Sequence, residues 1–122
     1  MSPSHTTFIF IFATIAIVLA YAEPIERHDL ILGQRIIGDH EFVYEKVYEA
    51  ASKIGQKLVI EKEFRNPAVR SITMIRVLDQ NDSGHGAQVN ITGGGVGYEY
   101  VKLRFKSERF RSIDFIVEIY GR

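Results

Sequence analysis

The sequence predicts an all-β domain, a single antiparallel β-sandwich or small barrel of about six to seven strands. Three features point that way. Apolar and polar residues alternate with period 2 along most of residues 30–120, short apolar runs recur every ~10–14 residues, and no stretch carries a convincing amphipathic helix. In chain order, LILGQRIIG (30–38) holds two glycines and reads as a short strand or sheet edge. EFVYEKVYE (41–49) offers a strand pattern and an i, i+4 pattern at once; strand is favoured because Val, Tyr and Phe suit a pleated surface. Leu58, Ile60 and Phe64 alternate with Lys57, Glu61 and Glu63. SITMIRVL (71–78) is nearly continuous in apolar and β-branched residues, as a central strand covered on both faces would be. Ala87, Val89 and Ile91 alternate with Gln88, Asn90 and Thr92.

The two cleanest strands come last. Val101, Leu103 and Phe105 share one face and Tyr100, Lys102, Arg104 and Lys106 the other; Ile113, Phe115, Val117 and Ile119 then oppose Asp114, Ile116, Glu118 and Tyr120. SERFR (107–111) between them has hairpin length, so the two are expected to pair as antiparallel neighbours. A register with Lys106 opposite Ser112 would set Arg104 against Asp114 and Tyr100 against Glu118.

Residues 8–20, FIFIFATIAIVLA, form an uninterrupted run of apolar or small residues followed by Ala20-Tyr21-Ala22, the pattern of a signal peptide with cleavage after Ala22. The run is short of the ~20 residues of a transmembrane helix, so no stable membrane anchor is expected. The expected organisation is a signal peptide at 1–22 and one β-domain at 23–122, secreted. That domain has no cysteine, which removes disulfides, thiol catalysis and Cys-ligated zinc and leaves packing and sheet hydrogen bonds to hold the fold. Fifteen Lys and Arg balance fifteen Asp and Glu, so net charge suggests neither a polyanion nor a membrane surface as partner.

The chemistry-bearing stretches are few. ITGGGVGYEYV (91–101) is glycine-rich but has neither the G-x-x-x-x-G-K-[ST] of a P-loop nor a helix after it, so a bend between strands is expected and no nucleotide. DQNDSG (79–84) matches the first half of a calcium loop, yet its twelfth position is Asn90 and its flanks are strands; a polar turn is expected. Asn81 and Asn90 each begin an N-x-[ST] sequon and are candidate N-glycosylation sites. Lys102, Arg104, Lys106, Arg109 and Arg111 form a candidate basic interaction patch, with Tyr98, Tyr100 and Phe110 nearby to stack; a solvated outer strand face is the preferred account, and direct nucleic-acid contact is not expected. His28, His40 and His85 lack metal-ligand spacing, and no nucleophile elbow or triad is suggested, so neither a catalytic residue nor a cofactor is assigned and an enzyme is not expected.

Taken together, ITMIRVLDQ, the ITGGGVGY block, KS-x-R at 106–109 and the closing F-x-V-E-I-Y-G resemble the insect multiprotein bridging factor 2 family, and GQRIIGD (33–39) is similar to its N-terminal signature. The resemblance covers nearly all of 23–122, least at Glu63–Val69. It implies one of two roles: a secreted, salivary or other extracellular protein-binding module of unknown partner, or the transcription co-activator from which the family takes its name, bridging a DNA-binding factor and the basal machinery. It implies no catalytic residue.

Overall fold

The computed structural model describes residues 27–122; the expected leader at 1–22 and its cleavage site lie outside them. Among the described residues every regular element is a strand: β1 (Leu30–Gly33), β2 (His40–Glu49), β3 (Val59–Arg65), β4 (Ile72–Asp79), β5 (Gln88–Gly94), β6 (Tyr100–Lys106) and β7 (Ile113–Gly121). They form two antiparallel sheets, ordered β1-β4-β7-β2 and β3-β6-β5, stacked as a sandwich and not closed into a barrel. The helix–strand ambiguity of residues 41–49 resolves to strand because β2 finds β7 as its partner along its whole length, with one bulge between Glu41 and Val43. β4 is central, flanked by β1 and β7, but it is not covered on both faces as its apolar run suggested: Ile75 and Val77 face the core while Met74, Arg76 and Leu78 on the outer face are only half-buried, because no third layer packs there.

The core lies between the sheets. Val47, Ile72, Ile75, Val77, Ile113, Phe115, Val117 and Ile119 come from the four-stranded sheet, and Phe64, Val101, Leu103 and Phe105 from the three-stranded one. The rings of Phe105 and Phe115 meet across the interface with centroids 5.2 Å apart at 55°, a tilted geometry that adds to the area they bury.

The expected β6–β7 hairpin is not formed: these strands lie in different sheets, and residues 107–112 cross from one to the other. The reason is in their inner faces. Each strand has one fully apolar face, and two such faces remove more area from water when they oppose each other across a sandwich than when they lie side by side. Ser107, almost fully buried, fixes the start of the crossover: its N–H donates to the Leu58 carbonyl (2.9 Å) and its hydroxyl accepts from the Leu58 N–H (2.8 Å). The charge pairs change accordingly. Arg104 faces Glu61 and Asn90, Tyr100 faces Arg65, Asp114 faces Tyr48 and Glu118 lies between Tyr44 and Arg76.

Candidate functional site

The glycine-rich stretch is the connection from β5 to β6. Gly94, Gly95 and Gly97 adopt φ of 62°, 124° and 91°, a region costly for side-chain-bearing residues. The loop's donors are used within the fold: Gly95 N–H bonds the Tyr100 carbonyl (2.9 Å), Tyr98 N–H the Gly95 carbonyl (3.0 Å), and Gly97 N–H the Ile72 carbonyl (2.9 Å), while Ile72 N–H returns a bond to Tyr98 (2.7 Å). A phosphate cradle needs converging, unspent backbone donors. Here the Gly95 and Tyr98 donors close the loop on itself, and the Gly97–Ile72 and Ile72–Tyr98 bonds clip it to the start of β4 in the other sheet.

The DQNDSG turn is likewise built from side chains serving the backbone. Asp79, fully buried, accepts from the N–H groups of His28 (3.0 Å) and Asn81 (2.9 Å), and Asn81 accepts from the Ser83 N–H (2.8 Å) and hydroxyl (2.6 Å). Gly86 packs so tightly on the Asp79 carboxylate that an added Cβ would collide with it. Among the described residues no three His, Asp or Glu side chains are grouped to hold a metal.

A second buried carboxylate closes GQRIIGD. Asp39 accepts from Arg35 Nε (2.9 Å), the Ile36 N–H (2.9 Å) and the Thr73 hydroxyl (2.9 Å). Burial alone would raise its pKa, but the Ile36, Arg35 and Thr73 donors outweigh that and hold it below the ordinary value. The Arg35 guanidinium in turn lies 4.0 Å over the Tyr120 ring. The Glu41 carboxylate beside the Tyr120 hydroxyl, with burial and Glu118, raises the Tyr120 pKa. The family-like signature is thus a structural clamp of the β1–β2 loop onto β4 and β7. The Arg-x-x-x-Asp spacing around Gly38 is the signal in the sequence, although the role of Thr73 could not be read from it.

The basic patch divides in two. Lys102, Arg104 and Lys106 form one row on the outer face of β6, between the acids of β3 and the polar residues of β5. Arg104 Nε is 3.7 Å from Glu61, a half-exposed pair worth little on its own. Lys57, Asn90, Arg104, Lys106 and Glu108 line a groove of about 260 Å³ along this face. Arg109 and Arg111 lie elsewhere, in the crossover at the end of the sandwich, where Arg109 donates to the Gly55 carbonyl (3.4 Å). The expected stacking residues do not gather either. Tyr98 and Tyr100 sit edge to face (6.2 Å) at the start of β6, with Arg65 over the Tyr100 ring, while Phe110 lies beyond its far end. Of the two sequon residues, Asn90 is exposed on the outer face beside the groove and Asn81 is half-buried in its turn.

A family model described as "Transcription activator MBF2" matches residues 32–121. A "Probable salivary secreted peptide" of Bombus ignitus is 40% identical over 97 residues, which cover 80% of this chain and 72% of that relative. No solved structure gives a significant match. The family match runs from within β1 to the last residue of β7, all of the sandwich but the first two residues of β1, and the chain belongs to the MBF2 family.

Proposed function

We propose that this chain is a small secreted, non-enzymatic β-domain that acts by binding a partner protein outside the cell. The observation that carries the reading is the 40% identity to a relative named as a salivary secreted peptide. The apolar leader at 1–22 and the two sequons agree with passage through the secretory route. A non-enzymatic role is supported by the use made of the buried carboxylates: Asp39 and Asp79 are both spent on backbone and loop hydrogen bonds.

The family description favours a second reading, a transcription co-activator. One experiment separates them. The full sequence is expressed in insect cells, and medium and nuclei are examined by intact-mass and peptide mass spectrometry. Secretion predicts a product in the medium beginning at Glu23, with glycan on Asn90, Asn81 or both, and any partner co-purifying with it. An uncleaved chain confined to nuclei would sink the secreted reading and favour the co-activator.

A further inference from the structure

Two turns lie side by side at the end of the sandwich where β2 leads to β3 and β6 crosses to β7. The first runs from Ser52 to Gly55, closed by Gly55 N–H to the Ser52 carbonyl (3.2 Å); the second runs from Glu108 to Arg111, closed by Arg111 N–H to the Glu108 carbonyl (3.3 Å). Their central residues are Lys53-Ile54 and Arg109-Phe110, so each tip is one cation followed by one large apolar side chain. The turns are joined, because the Phe110 ring packs on Gly55, where a Cβ would collide with it, and Arg109 donates to the Gly55 carbonyl.

Beyond that contact of the Phe110 ring edge with Gly55, both apolar side chains are left open to solvent. Ile54 is 76% and Phe110 65% exposed. Phe110 also holds φ at +61°, in the third position of a turn where that conformation calls for glycine. A bulky residue there costs free energy that a glycine would save, and it leaves most of its ring in water. Around the tips stand Lys53, Arg109 and Arg111, with Lys57 two residues past Gly55 in the outer-face groove; all are exposed and, among the described residues, none is within ion-pair distance of a carboxylate. The one acid within the second turn, Glu108, faces His85 at 3.2 Å.

We propose that this end of the molecule, the Lys53-Ile54 and Arg109-Phe110 tips, is a peripheral binding surface for an anionic phospholipid bilayer. Convex turns that offer the Ile54 side chain and the open face of the Phe110 ring fit a fluid surface that yields around them, whereas a rigid protein partner would need matching pockets for both. A sulfated sugar or nucleic acid would engage the cations and leave the two apolar side chains without a role. At a bilayer, the guanidinium and ammonium groups reach the headgroup phosphates while the apolar tips enter the acyl boundary. The zero net charge of the chain is no obstacle, since such attraction acts within about 10 Å and reads the local cluster. The proposal does not depend on secretion or on any protein partner.

The test is flotation of the purified full chain with vesicles carrying about 30 mol % phosphatidylserine, against neutral phosphatidylcholine vesicles, at ~0.15 M salt. Any contribution of residues 1–22 is common to all variants, so the anionic-minus-neutral difference is what is read. The unaltered chain is expected to float with anionic vesicles only. Ile54→Ser and Phe110→Gly should each weaken binding about tenfold with unchanged circular dichroism, and Lys53→Gln with Lys57→Gln about 25-fold, at roughly fivefold per cation. Should Phe110→Gly disturb the crossover, Ile54→Ser carries the test, since its side chain is exposed. No preference for anionic vesicles, or a preference that survives Ile54→Ser, overturns the proposal. So does tip-dependent binding to heparin or to an acidic protein without binding to vesicles.

Discussion

Gly94 and Gly97 are three residues apart in one turn, yet an alanine would fare differently at each. At Gly94 the new Cβ would meet the Tyr100 carbonyl oxygen, on top of a positive φ; at Gly97 it would point into open space and add only backbone strain. Gly94→Ala is expected to cost about 2–4 kcal/mol and Gly97→Ala about 1 kcal/mol, measured by urea unfolding. Equal costs would mean that the turn is free to relax. Asp39 supports a prediction of a different kind. Its folded-state pKa lies below the ordinary 3.8, so its stabilising contribution is fully present above that value and is lost as pH falls through the folded-state pKa. Unfolding followed between about pH 5 and 2 should show stability declining towards the acid end. Asp39→Asn should lower stability at neutral pH and flatten that decline, whereas an unchanged acid limb would assign it to other carboxylates.

Along the strands, period 2 made the inner and outer faces of β6 and β7 legible, because the alternation is set by backbone geometry alone. Which strand each would pair with was not legible. SERFR has the length of a hairpin loop, and nothing local distinguishes a turn within a sheet from a crossing between sheets. What decides is that Val101, Leu103 and Phe105 are best covered by Ile113, Phe115, Val117 and Ile119, a non-local choice. For the same reason the basic patch read as one cluster in sequence and is two in space, with Arg109 and Arg111 carried away by the crossover. A further feature belongs to the sheet edges. Glu45 on β2 and Lys62 on β3 occupy inward-facing positions, opposite Val117 and Leu103, and pair across the sandwich at 3.5 Å. Both are nearly half exposed, so the pair adds little stability. Inward charges on edge strands instead discourage a second chain from adding there. Lys62→Val should therefore leave unfolding free energy within about 0.5 kcal/mol while light scattering reports faster aggregation on warming. Unchanged aggregation would remove that role from the pair.

At the scale of the molecule, one core spans both sheets and no disulfide supplements it, so neither sheet has an independent interior to retain if the other opens. The chain should unfold in a single transition, with far-ultraviolet circular dichroism and tyrosine fluorescence coinciding. Refolding should be slow for its size. The strands of the four-stranded sheet all pair at long sequence distance, β1 with β4 and β7 with both β4 and β2, so loop-closure entropy is lost before much apolar area is gained, which points to milliseconds to seconds. The joint between the sheets can be tested at the Phe105–Phe115 contact. Phe105→Leu and Phe115→Leu should each cost about 1–2 kcal/mol, and because the rings touch, their effects should depart from additivity by roughly 0.5–1 kcal/mol in a double-mutant cycle. Strict additivity would show that the two sheets do not share this contact energetically, and two separate unfolding transitions would show that they do not share a core at all.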